Sequence, residues 1–325
     1  MSTIPSLSPA QALEAAIAAR RPYQQGYFAF YSSILRGVVT EPALMTVPAD
    51  DHLAHRGDGV FETLKCVDGA VYLWREHVNR LLRSAERIAL RPPWSIEQLA
   101  EITFHTIRIG ARRDCLVRVI LSRGPGSLGV SPGDCPEPGL YVLVHEWKAS
   151  FMETHPAGAR VVTSRLPLKP SFFATIKTCN YLPNALLKKE ALDAGADFAL
   201  AFDEAGGLAE GATENAGIVT ADGVLRVPPP DRLLAGTTLN RALELARNRI
   251  GQGGLRAVET APISRADLAA ASELLLFGTT LDVTSAVLLD GRPVGSGVPG
   301  PVGLALDRAV REDVRNSPTA RTRVF

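Results

Sequence analysis

The stretch 173–195, FATIKTCNYLPNALLKKEALDAG, places one lysine, Lys177, between Ile176 and Thr178, ahead of a helical run with its own pair, Lys188 and Lys189. An ammonium among apolar neighbours loses hydration that a surface lysine keeps, and burial lowers its pKa. A lysine lowered in this way can attack a carbonyl. The plainer reading is a lysine at a strand end reaching for water, as most lysines do. The rest of the chain decides between them.

A chain of 325 residues is long enough for about two domains and buries roughly three quarters of its unfolded surface. Hydrophobic residues at 46% and charged residues at 21% are ordinary for a soluble globular protein. A net charge of +1 speaks against a nucleic-acid binder, which carries a basic face. No apolar run reaches the roughly 18 residues of a membrane span. The opening MSTIPSLSPAQALEAAIAARRPYQQ is alanine-rich, broken by Glu14 and followed rather than preceded by arginines, so it does not read as a secretory signal. It reads instead as an amphipathic helix capped by Ser8 with Pro9 at its first position. The four cysteines, Cys66, Cys115, Cys135 and Cys179, form no C-x-x-C pair, and the six histidines have no metal-binding spacing. Reduced thiols in a cytoplasmic enzyme, without a structural metal, are the expectation.

Strands and helices intermix in both halves, which predicts two α/β or α+β lobes. In the first, YFAFYSSILRGVV and ALMTVPADD are strand-like, and GVFETLKCVDGAVYLW has β-rich arms around Asp68-Gly69, a hairpin signal. REHVNRLLRSAERIAL has helical spacing, and CLVRVILSRG and GLYVLVHEW are strands separated by the Gly/Pro-rich GPGSLGVSPGDCPEP. Residues 1–148 are read as a smaller N-terminal domain, 149–158 as a linker, and 159–325 as a larger domain carrying Lys177. That second domain holds a helix over 183–194, a hairpin in DFALAFDEAGGLAEG, and helices near 239–249 and 301–312.

Lys177 gains meaning from its companions. Glu210 stands just past the hairpin turn in GGLAEGATENAG, an isolated carboxylate. Gly236-Thr237-Thr238 directly precedes a helix, and a second Gly-Thr-Thr, 278–280, ends an apolar strand. A helix start with free N–H groups and hydroxyls is a natural phosphate cradle, although a simple cap or turn accounts for either motif alone. Together with a buried lysine and a lone carboxylate they suit an aldehyde that bears a phosphate and a basic ring nitrogen. That description fits pyridoxal 5′-phosphate.

At these residues the chain resembles the class-IV (fold-type IV) pyridoxal-phosphate enzymes: branched-chain and D-amino-acid aminotransferases and aminodeoxychorismate lyase. The motifs GDGVFETL, EHVNRLLRSA, IKTCNYL, LAEGATEN, LLAGTT and FGTT stand in the family's order between about Tyr27 and Val302. The N-terminal stretch and KTCNYLPN are most similar to the plant D-amino-acid-transaminase branch. The resemblance implies a two-lobed fold like that of D-amino-acid aminotransferase. It implies a Schiff base on Lys177, which also shuttles the α-proton, and Glu210 as partner of the ring nitrogen. Arg80, Gly236, Thr237, Thr238 and Thr279 would bind the phosphate. Tyr181 could meet the phenolate oxygen or be a core tyrosine. Phe61 and Thr280 would line the substrate pocket, and a homodimer is implied, with Phe28, Phe30 and Tyr31 candidates for the interface or for the core.

The substrate side departs from the relatives. The Arg-x-His pair of bacterial D-amino-acid aminotransferases is missing from the loop GPGSLGVSPG. Leu128-Gly129-Val130 replaces the Arg-Gly-Tyr of bacterial lyases, and Leu116 replaces the tyrosine that precedes the arginine matching Arg118 in branched-chain enzymes. Something else must then meet the substrate carboxylate, since a desolvated carboxylate without a partner is unfavourable by several kcal/mol. Arg56, in HLAHRGDGVFE, is one candidate and Arg118 its competitor. Alternatively Arg56 pairs Asp50, Asp51 or Asp58 to order its loop. The expected activity is transamination between a small branched-chain or D-amino acid and a 2-oxo acid, with 4-amino-4-deoxychorismate lyase as the alternative.

Overall fold

The computed structural model describes residues 4–167, 169–203 and 205–325. Ser8 caps α1 (Pro9–Ala18) by exchanging bonds with Gln11, as its sequence signature requires. The first lobe continues through β1 (Tyr27–Ser32), β2 (Gly37–Val39), α2 (His52–Arg56), β3 (Gly59–Val67), β4 (Ala70–Tyr72), α3 (Trp74–Arg87), α4 (Ile96–Gly110), β5 (Cys115–Ser122) and β6 (Gly139–His145). Asp68 and Gly69 have φ of 51° and 74°, the conformation of a tight hairpin turn between β3 and β4. ALMTVPADD forms no strand. It ends a short 3-10 turn, Pro42–Leu44, then Pro48 removes a ladder donor and Asp51 accepts from Leu53 N to start α2.

Residues 149–158 contain α5 (Phe151–Thr154), whose Met152 is buried, so the stretch is packed rather than a bare tether. The second lobe follows with β7 (Ala159–Thr163), α6 (Ser171–Ala174), α7 (Leu182–Asp193), β8 (Phe198–Phe202), β9 (Leu208–Gly211) and β10 (Asn215–Val219). Beyond these come β11 (Val224–Val227), α8 (Thr237–Arg247), β12 (Ala257–Thr260), α9 (Arg265–Ala269) and β13 (Glu273–Gly278). The chain closes with β14 (Asp282–Leu289), β15 (Arg292–Pro293), α10 (Pro301–Asn316) and β16 (Arg321–Arg323).

The first sheet has the order β16-β4-β3-β5-β6-β1-β2. Its outer strand comes from residues 321–323, which sequence order alone assigns to the second lobe. Without β16 the short β4 would leave an open edge. The second sheet runs β12-β11-β10-β13-β14-β7-β8-β9, and β9 also pairs β10. That extra pairing sets Glu210 opposite Asn215 and closes β10, β13, β14, β7, β8 and β9 into a ring.

Leu64, Val117, Val119 and Val142 form one core with Val78 and Leu81 of α3 and Leu99 and Ile107 of α4. Phe30 is buried apart from this cluster, stacked 5.9 Å from Tyr141, while Phe28 and Tyr31 pack on the core's margin. A second core joins Leu239, Leu243, Leu275 and Leu306 to Tyr72 and Leu73 of the first lobe. The lobes are further tied by an ion pair between Lys65 on β3 and Asp282 at the start of β14, both almost wholly buried.

Candidate active site

The lysine segment lies antiparallel on β3. Phe61 N donates to Lys177 O at 3.0 Å and Cys179 N to Gly59 O at 2.8 Å, with Val60 opposite Thr178. Asn180 Nδ2 donates to Gly57 O at 3.2 Å. Gly57 is at φ 64°, and a β-carbon there would lie 2.7 Å from Asn180 Oδ1, so position 57 needs glycine for two reasons. Ile176 sinks into the first-lobe core. Its neighbour Lys177 is thereby held in the seam between lobes rather than at a solvated strand end.

Lys177 Nζ sits 4.8 Å from the centre of the Phe61 ring and 3.5 Å from Tyr181 Oη. Among the described residues no carboxylate is within ion-pairing distance of it. Burial first, and then Arg80, lower its pKa to about 8. Lys177, Tyr181 and Glu210 all keep partial exposure, and Glu210 lines a small cavity.

Glu210 accepts from Leu234 N at 3.1 Å and Asn215 Nδ2 at 3.5 Å. Burial raises its pKa to about 7, outweighing the Leu234 N–H and the nearby Lys177 and Lys169 charges. Asn215 Nδ2 also donates to Leu234 O at 2.8 Å, fixing the turn that leads into α8. Gly236 caps α8, and a β-carbon there would come within 1.9 Å of Asn215 Oδ1. Thr237 and Thr238 form the first turn and are buried. Arg80 reaches this turn from α3, its Nη1 donating to Ala235 O at 2.9 Å.

Thr279 and Thr280 occupy the turn joining β13 to β14. Arg118, on β5 opposite Thr63, is exposed, with its guanidinium 5.1 Å from the Phe61 ring centre. Arg56 pairs none of the three neighbouring aspartates. Asp58 is held by Arg123 at 3.0 Å, Asp51 by Ser122 and Tyr141 at 2.8 and 2.6 Å, and Arg56 bonds the Leu128 carbonyl in the 124–133 loop.

Three residues joined to the site went unread in the sequence. Glu62 accepts from Arg80 Nε and Nη2, each at 2.7 Å, and from His77 Nδ1 at 2.6 Å. The signal was an acid inside an apolar strand and a His-x-x-Arg spacing that puts both side chains on one helix face. Lys169, whose Nζ is 4.9 Å from the Tyr181 ring centre, lines a small cavity together with Glu210.

An amine with a lowered pKa, a carboxylate awaiting a basic partner and a guanidinium at a helix start suit pyridoxal 5′-phosphate, end for end. The donor set therefore describes an enzyme of the pyridoxal-phosphate class. The chain belongs to the class IV aminotransferase family, whose model matches residues 59–288 and whose members use this cofactor. It is 37% identical to the chloroplastic D-amino-acid transaminase of Arabidopsis thaliana over 295 residues, 90% of this chain and 78% of that one. It is 30% identical to a branched-chain-amino-acid aminotransferase of Pseudomonas aeruginosa over 268 residues, 79% and 84% of the two chains. The crystal structure of the T.th. branched-chain amino acid aminotransferase with pyridoxamine 5′-phosphate superposes with a TM-score of 0.85 at 30% identity, covering 92% of this chain and 99% of that one. The protein is an aminotransferase.

Proposed function

We propose that this aminotransferase exchanges the amino group of a small branched-chain or D-amino acid with a 2-oxo acid, and that Lys177 is its catalytic residue. The observation that carries the reading is the Lys177 amine, set between Phe61 and Tyr181 with no carboxylate among the described residues in ion-pairing distance and its pKa lowered to about 8. Pyridoxal 5′-phosphate, when bound, supplies a ring that takes up the electron pair left as the substrate loses its α-proton. Lys177 Nζ would hold the cofactor's carbonyl carbon and would move the proton at the substrate Cα. Glu210 would keep a proton on the ring nitrogen. Tyr181 Oη would orient the phenolic side, and Arg80, Gly236, Thr237, Thr238 and Thr279 would hold the phosphate.

Arg118 is the favoured partner of the substrate carboxylate. It lies over Phe61 and pairs no carboxylate among the described residues, and a guanidinium offers a two-pronged fit. Arg56 is the second candidate, with Nη2 already committed to Leu128, and Thr280 completes the pocket edge. The decisive experiment mixes holoenzyme with L- and D-amino acids and follows conversion to the pyridoxamine form. Conversion by a small amino acid, reversed by a 2-oxo acid, supports transamination; pyruvate released from aminodeoxychorismate with no acceptor would count against it.

The working unit is proposed to be a cytoplasmic homodimer. No helix among the described residues is long and apolar enough to cross a membrane, and all four cysteines are free, which supports a reducing compartment. Exposed Leu128, Val130, Phe172 and Phe173 support a partner surface, and sedimentation of an active monomer would refute it.

A further inference from the structure

The phosphate cradle of the second lobe is wired to an anion in the first. Glu62, 1% exposed on β3, receives both side-facing donors of Arg80 and the Nδ1 of buried His77. His77 Nε2 in turn lies 3.3 Å from Thr237 Oγ1, at the first residue of α8. Every member of this chain is buried, and each link crosses from β3 to α3 or from α3 to α8.

The donor pattern along the chain is fixed by chemistry. Burial would raise the Glu62 carboxyl, but Arg80 and His77 outweigh it and bring the pKa to about 2, so the carboxylate accepts only. His77 Nδ1 must then carry a proton. Burial pushes His77 below its ordinary value against the pull of Glu62, which leaves the ring neutral and Nε2 a bare acceptor. Thr237 Oγ1 therefore donates inward to His77, and its hydroxyl proton is not offered to an anion. Arg80, with Nε and one hydrogen each of Nη1 and Nη2 engaged, still has N–H groups on its outer face.

We propose that Glu62 is a positioning residue for the cofactor's phosphate, fixing Arg80 directly and the first turn of α8 through His77 and Thr237. The inference rests on the reading of Arg80 and residues 236–238 as the phosphate cradle. It makes the backbone N–H of Thr237, together with Thr238 and Arg80, the groups that meet the phosphate. Glu62 touches no ligand itself. Its removal leaves Arg80 free to choose another rotamer and His77 free to choose the other tautomer.

The test compares apoprotein binding of pyridoxal 5′-phosphate with binding of pyridoxal, which lacks the phosphate. A wild-type protein with no preference for the phosphorylated form would overturn the cradle itself. If that preference is present, Glu62→Gln should weaken pyridoxal 5′-phosphate about 10- to 100-fold, the span typical of lost supporting contacts at a bound centre. Pyridoxal affinity should stay within about twofold. Equal loss for both ligands, or none for either, overturns the positioning role. Should Glu62→Gln not fold, Thr237 decides. Thr237→Val should lose affinity several-fold while Thr237→Ser keeps it. Combining Thr237→Val with His77→Gln should cost no more than the worse single change, since both cut one path. Additive losses overturn the chain of contacts. The 31P resonance of the bound cofactor should move in each weakened variant and stay in place in Thr237→Ser.

Discussion

The amide of Phe61 donates to the carbonyl of Lys177 at 3.0 Å, so one hydrogen bond joins β3 of the first lobe to the lysine segment of the second. The two residues belong to different lobes, and their side chains meet again at 4.8 Å. Anything that shifts β3 shifts Lys177.

Lys177→Ala should abolish amino transfer, because the other lysine near the ring of Tyr181, Lys169, approaches from the Glu210 side. Loss of the enzyme-bound cofactor absorbance together with loss of the half-reaction is the expected result. Wild-type turnover in this variant would remove the whole catalytic reading. In the wild-type apoprotein the rate of cofactor attachment should climb with pH through about 8, where the amine sheds its proton.

Glu210 makes a second pH prediction. Its folded-state pKa of about 7 lies above the ordinary 4.5, so the folded apoprotein holds a proton that the unfolded chain has lost between those values. Stability tied to this group is therefore full below about pH 4.5 and falls away as pH rises through about 7. Glu210→Gln should leave apoprotein melting unchanged in acid and raise it relative to wild type at about pH 8, above the folded pKa. In the holoenzyme the same change should slow proton abstraction by orders of magnitude, since a neutral amide no longer favours a protonated ring nitrogen. Unchanged half-reaction rates would reduce Glu210 to a turn residue.

Arg118→Leu should raise KM for the amino acid about 100-fold, equivalent to roughly 3 kcal/mol for a charge-assisted pair, with cofactor affinity unaffected. Arg56→Leu should act more weakly, by loosening the loop that its Leu128 contact holds. Steady-state kinetics with one amino donor separates them. The reverse ranking would transfer the carboxylate to Arg56.

The buried pair of Lys65 and Asp282 offers a test of how the lobes are joined. Removing one partner strands a charge that is almost wholly enclosed, so Lys65→Met should lower unfolding stability by about 3–5 kcal/mol. Lys65→Met with Asp282→Leu should recover much of it. Urea midpoints of the three proteins decide the matter; a mild single variant would mean that water reaches Asp282 on opening.

Lys177 stands out in the sequence as a charge in an apolar run and Gly236-Thr237-Thr238 as a glycine before a helix, whereas Gly278-Thr279-Thr280 turns between two strands. Ser8, Asp68-Gly69 and the helix expected over 183–194, found at Leu182–Asp193, were legible because caps, turns and helical spacing act within a few residues. Glu62 was not, because its partners His77 and Arg80 come from another element and only packing reveals that the acid is enclosed. Helix α4 carries a capping box between Ser95 and Gln98 that passed unread beside the stronger hairpin signals. The partner of Arg56 could not be read either, since local charge favoured the aspartates whereas the fold gave Asp58 to Arg123.

The position of β16 bears on how the enzyme is made in the cell. Arg321 Nη2 bonds the Val67 carbonyl across 254 residues, and β16 supplies the outer rung of the sheet whose third strand is β3. On the ribosome the first lobe emerges early but stays a strand short until residue 323 leaves the exit tunnel. Its edge at β4 is then open to other chains for most of synthesis. A nascent chain truncated before β16 should therefore be a client for chaperones rather than a half-built enzyme.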